Sequence, residues 1–164
     1  MDVQMEEQLE TQMNWFSFDE IESWTVPRSP PDPLGAVMLR AMANDLAWWG
    51  TVRFTPGRSV DRYLVDFYYR GVPYSPAEWF GDLDSGHRQR CSRVCRQLEQ
   101  DRYLYRVTES QRDRVRCLVP TLHGLTWPLR TAPGAKIQGV ATGLRQTEWG
   151  QELADQLLAK LARP

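Results

Sequence analysis

The stretch from Ser85 to Arg116 constrains the fold most, because a helical apolar stripe and the densest positive charge of the chain share the same residues. Nine arginines (Arg88, Arg90, Arg93, Arg96, Arg102, Arg106, Arg112, Arg114 and Arg116) stand there against four acids, Glu99, Asp101, Glu109 and Asp113, for a net of +5. Cys91, Cys95 and Leu98 fall at i, i+4 and i+7, a spacing that predicts a helix over His87 to Gln100 with these three side chains turned inward. At 100° per residue the opposite face carries Gln89, Arg93, Arg96 and Gln100, flanked by Arg88, Arg90 and Ser92. Burial of the first set forces exposure of the second.

That positive patch belongs to a chain that is not basic. The 164 residues hold 20 lysines and arginines against 21 acids, for a net of −1. Met1 to Pro33 alone has eight acids against one base, Arg28, for a net of −7. Arginine concentrated on one element of a near-neutral chain is the electrostatic footprint of a surface that faces a polyanion. A hydrophobic content of 41% and seven tryptophans predict one packed domain with additions, not a disordered chain or two full domains. No apolar run approaches the ~20 residues that cross a bilayer, and the acidic start lacks the pattern of a secretory signal. Three cysteines, an odd number, disfavour a disulfide framework. The expectation is a soluble, cytoplasmic protein without membrane contact.

Along the chain, Met5, Leu9 and Met13 suggest a short amphipathic helix. Val26 to Pro33 holds four prolines in eight residues and reads as a linker. Leu34 to Trp49 predicts a buried helix stopped by Gly50, and Ser59 is the expected N-cap of a second, with Val60, Leu64, Phe67 and Tyr68 on one face and Gly71 at its end. Val72 to Tyr74 is short and extended. Ser75-Pro76-Ala77-Glu78 has the form of a capping box opening a brief helix. After the arginine-rich helix, Tyr103 to Thr108 and Val115 to Val119 predict a hairpin whose tip carries Arg112 and Arg114, with Arg116 behind. Pro120 to Gln138 reads as an irregular insertion and Gly139 to Arg145 as an alternative return strand. Thr147 is the expected cap of a final helix striped by Trp149, Leu153, Leu157 and Leu161, which either folds back on the core or pairs with its twin.

The run from Ser92 to Val107 (SRVCRQLEQDRYLYRV) resembles the recognition helix and first wing strand of winged helix-turn-helix proteins. Ser75 to Phe80 resembles the preceding helix of that motif and Ser59 to Arg70 the first of its three. Leu144 to Ala154 is similar to the segment that leaves the wing in regulators of the multiple-antibiotic-resistance (MarR-like) type. Where those families carry a glycine after the recognition helix, this chain has Asp101-Arg102. The resemblance implies an α+β, mostly helical fold. Residues 1–33 form an acidic arm and linker, 34–145 a winged-helix domain (helix-turn-helix about 59–100, wing about 103–119, insertion 120–138) and 146–164 a C-terminal helix.

It also implies sequence-specific binding of double-stranded DNA by a transcriptional regulator, acting as a homodimer through its terminal helices. Arginine reads guanine and glutamine reads adenine from a helix in the major groove. The expected contacts are Arg88, Gln89, Arg90, Ser92, Arg93 and Arg96 on the helix, and Arg112, Arg114 and Arg116 on the wing. A protein-interaction module that docks an acidic partner is the alternative. A third reading has the acidic N-terminal arm covering the basic helix in cis. His87, Cys91 and Cys95, with Cys117 and His123 downstream, have ligand chemistry for a metal, but small core positions need Cys91 and Cys95 for packing. No cofactor is implied. No nucleophile and base stand at a recognised spacing, and Asp61, Asp66 and Glu78 read as caps and exposed positions, so no enzyme is expected. Trp48-Trp49 and Trp79-Phe80 read as core or rim aromatics.

Overall fold

Pro33 opens the first helix at the position where an N–H is not needed, and Asp32 Oδ1 accepts from the Leu34 N–H at 2.8 Å. This helix, α1 (Pro33–Trp49), is the first element of a computed structural model that describes residues 32–109 and 114–161. The expected helix around Met5 to Met13, the linker up to Pro31 and the hairpin tip with Arg112 lie outside the described residues. One side of α1 buries Met38, Leu39, Met42, Leu46 and Trp49. Spacing of three, four and seven residues makes that stripe continuous.

Next come α2 (Arg62–Tyr69), β1 (Val72–Pro73), α3 (Pro76–Phe80), α4 (Ser85–Gln100), β2 (Leu104–Thr108) and β3 (Val115–Pro120). The strands form an antiparallel sheet in the order β1-β3-β2, with Val72 opposite Leu118 and Leu104 opposite Pro120. Three helices follow: α5 (Leu122–Leu129), α6 (Gly134–Arg145) and α7 (Gln151–Leu161). The fold is therefore α+β and mostly helical. Side chains from α1, α2, α4, the three strands and α5 to α7 share a hydrophobic core, in which Trp49 stacks on Phe67 at 4.5 Å between ring centroids.

The segment expected to be an irregular insertion, and the alternative strand Gly139 to Arg145, are instead α5 and α6. Their prolines and glycines punctuate helices rather than prevent them. Thr121 Oγ1 caps α5 by accepting from the Gly124 N–H at 3.0 Å, and Pro133 stands just before α6. Inside α6 the glycines serve close packing: a Cβ on Gly143 would lie 1.9 Å from the Leu46 carbonyl oxygen of α1. Only a residue without a side chain lets the two backbones approach that closely.

Three local expectations are corrected in the same way. Asp61, not Ser59, caps α2, its Oδ1 accepting from the Tyr63 N–H at 2.9 Å, and Val60 lies outside the helix fully exposed. The Ser75 hydroxyl does not close a capping box but donates to the Pro73 carbonyl at 3.2 Å. Thr147 does not start α7; it is buried and donates to the Leu144 carbonyl, closing α6. The apolar stripe of α7 folds back in cis, with Ala154 and Leu157 buried where the helix packs on α5 and α6. Trp149, Leu153 and Leu161 of the same stripe are half-buried against the core.

The turn after α4 shows what replaces the missing glycine. The Tyr103 N–H reaches back to the Leu98 carbonyl at 2.9 Å and the Arg102 N–H to the Glu99 carbonyl at 3.1 Å. This pair of bonds is the Schellman motif, and it needs a left-handed residue between helix and strand. Arg102 supplies it with φ 64°, the sole non-glycine residue with positive φ among the described residues. A side chain in that region costs about 1–2 kcal/mol, partly offset because glycine gains more entropy on unfolding. Arg102→Gly is expected to raise stability by about 0.5–1 kcal/mol, read as a higher urea midpoint at unchanged slope.

Candidate functional site

The site is built on α4. Asp84 caps it, with Oδ1 accepting from the His87 N–H at 2.8 Å, two residues before the start expected from sequence. Cys91, Val94, Cys95 and Leu98 are buried, and Cys95 lies against α1 with its Sγ 3.7 Å from Met38 Sδ. Those four side chains fix the rotation of the helix about its axis. Arg88, Gln89, Arg90, Arg93, Arg96 and Gln100 are accordingly exposed, and Ser92 is half-buried at the edge. The residues expected on the outer face therefore share one surface.

Their neighbours differ. Arg88 curls back, donating from Nε and Nη2 to the Leu83 carbonyl at 3.2 and 3.1 Å. Arg90 Nη2 lies 3.5 Å from Asp32 Oδ1, the residue that caps α1. Between α1 and α4 a groove of about 530 Å³ is lined by Asp32, Arg90, Arg93, Val94 and Gln97. Arg93 thus stands at a depression with one carboxylate and one further guanidinium.

On the hairpin the expected set divides. Arg112 lies outside the described residues. Arg114 is exposed at the point where the strands close, its carbonyl accepting from the Glu109 N–H at 3.0 Å. Arg116 is corrected: its Nε donates to Asp66 Oδ2 at 2.9 Å and its Nη2 to Asp66 Oδ1 at 3.0 Å. The carboxylate is buried, so the pair is a bidentate clamp between α2 and β3 and Arg116 is not an outward contact. Asp66, expected as an exposed position, is the partner that sequence reasoning missed. No local pattern marks the pair, because Asp66 and Arg116 stand fifty positions apart.

A second clamp holds the other end of α4. Glu99 accepts from the Arg106 backbone N–H at 2.7 Å and from Arg106 Nε at 3.1 Å, tying the last turn of the helix to β2. Of the arginines counted in the sequence, Arg106 and Arg116 therefore build the scaffold. Arg62, at the start of α2, reaches Glu109 Oε1 at 3.7 Å across exposed surface.

The cysteines behave as core atoms. Burial pushes the Cys95 and Cys117 thiols up to about 12, and it also raises Cys91. His87 is on the surface with Nδ1 3.2 Å from Asp84 Oδ1. Among the described residues no group of three or more His, Cys, Asp or Glu side chains is gathered to hold a metal ion.

Two outcomes follow. Asp66→Ala leaves a guanidinium that is 21% exposed without its partner, and is expected to cost about 2–4 kcal/mol. Adding Arg116→Met in the same chain is expected to recover part of that loss in a chemical-denaturation cycle. The Cys95 and Cys117 thiols should resist a disulfide reagent in the native chain at pH 8 and react fully in 6 M guanidinium, because a thiol shifted from 9 to about 12 has about a thousandfold less thiolate. No family model matches the chain, and neither does any curated protein or solved structure.

Proposed function

We propose that the chain binds double-stranded DNA through a winged helix-turn-helix, with α4 as the reading helix and the β2-β3 hairpin as the wing. The observation that carries this reading is the division of α4. Its outer face presents Arg88, Gln89, Arg90, Arg93, Arg96 and Gln100 together, while its thiols and aliphatic side chains are in the core. Four guanidiniums and two amides on one helix are donors suited to phosphates and to guanine and adenine edges. A helix of 16 residues is about 24 Å long, enough to lie along a major groove about 12 Å wide.

The connectivity supports the same reading. Of the three helices before α4 among the described residues, α2 and α3 flank the short strand β1 and lead directly into α4, a hairpin follows it, and β1 pairs with the return strand of that hairpin. In this arrangement Arg93, Arg96 and Gln89 face base edges, Arg88, Arg90 and Ser92 face phosphates, and Arg114 extends the contact along the backbone. Regulation of transcription by two copies reading two half-sites belongs to the same proposal.

A docking surface for an acidic protein is the second reading, and one contact favours it: a carboxylate, Asp32, already stands at Arg90. Salt-sensitive retention of duplex DNA separates the two, and cross-linking to protein without it favours the second. A duplex complex that neutralises about four phosphates loses affinity with a log–log slope near −4. Replacing Arg93 and Arg96 by alanine is expected to weaken duplex binding by about 30-fold or more in a gel-shift titration, with circular dichroism unchanged. Equal affinity of parent and variant refutes α4 as the reader.

A further inference from the structure

We infer that the groove between α1 and α4 is the docking place of the acidic segment that precedes it in the same chain, residues 1–31, and that this segment competes there with nucleic acid. Its regulatory meaning rests on the duplex-binding reading of α4; the contact itself does not. The groove, of about 530 Å³, is lined by Asp32, Arg90, Arg93, Val94 and Gln97. Asp32 is both a wall of the groove and the residue to which the preceding segment is bonded. Its carboxylate lies 3.5 Å from Arg90 Nη2, so the chain enters α1 already in contact with the arginine face.

The occupant is chosen by charge and by tether. Residues 1–31 carry seven acids against one base, Arg28, for a net of −6. Asp19, Glu20 and Glu22 precede Asp32 by thirteen, twelve and ten residues. At no more than about 3.6 Å per residue that tether reaches up to roughly 35–45 Å, beyond the ~24 Å length of α4. Carboxylates accept the same bidentate bonds from arginine that phosphates do. A partner held on so short a connection acts at an effective concentration of the order of millimolar, so a contact of about 0.1 mM intrinsic strength fills the groove and lowers the apparent affinity of a competitor about tenfold.

The test uses the full chain and its Asp19→Asn/Glu20→Gln/Glu22→Gln variant, whose substitutions keep side-chain size and remove charge. Two readouts are taken at low salt: duplex affinity, and the ¹⁵Nε resonances of Arg90 and Arg93 without DNA, assigned with Arg90→Lys and Arg93→Lys chains. The expected result is duplex binding about tenfold tighter in the neutralised variant, with the Arg90 and Arg93 resonances displaced from their positions in the parent. Superimposed resonances overturn the inference even if affinity rises, since bulk charge then explains the gain. Displaced resonances with equal duplex affinities overturn the competition. Displaced resonances with no duplex bound by either chain support the docking and refute the duplex reading by itself.

Discussion

The seating of α4 decides the rest of this structure. Cys91, Val94, Cys95 and Leu98 pack into the core, with Cys95 against Met38 of α1, and small side chains at the middle of the stripe let the two helices approach. A helix has one rotational freedom about its axis. Once four side chains fix it, the face of the helix from which each arginine leaves the backbone is fixed too. The charged face is therefore preorganised by apolar packing. Its ends are held by electrostatics: Asp84 at the start, and Glu99 with Arg106 at the finish.

Two ion pairs that join a helix to a strand draw two arginines of the stretch from α4 to β3 away from the outer surface. Asp66 removes Arg116, and Glu99 removes Arg106, from the outward-facing charge. Each pair bridges a helix and a strand of the sheet. The bidentate geometry of Asp66 with Arg116 sets distance and orientation together, which a point-charge lysine does not do. The hairpin is thereby placed beside both α2 and α4, and the remaining charge is concentrated on the exposed side of α4 and at the closing turn. That concentration sits next to Asp32, through which the acidic N-terminal residues are attached.

Glycine and proline carry opposite meanings in different parts of this chain. In α6 they accompany the tightest helix contact of the structure, where Gly143 meets Leu46 of α1. After α4, at a turn position that glycine commonly fills, Arg102 adopts the left-handed conformation. The turn is kept because its two backbone bonds and the buried Leu98 and Tyr103 beside it overcome the local cost. Composition alone does not distinguish a glycine that breaks a helix from one that lets two helices touch.

From residues alone, the α4 helix with its inward cysteines and outward arginines was legible, as were α1, the brief helix after Ser75 and the hairpin, because each is written in a local period or a turn signal. The identity of the arginines that remain outward was not. Arg116 finds Asp66 fifty positions away, and that distance in sequence carries no periodic trace. For the same reason α5 and α6 were hidden: their stability comes from packing on α1 and α7, while their intrinsic propensities point to turns. Sequence determined which face of α4 is charged, since 3.6-residue periodicity is a property of the backbone. Tertiary structure decided which of those charges are left to bind something, since pairing depends on which distant side chains the fold brings within hydrogen-bond reach.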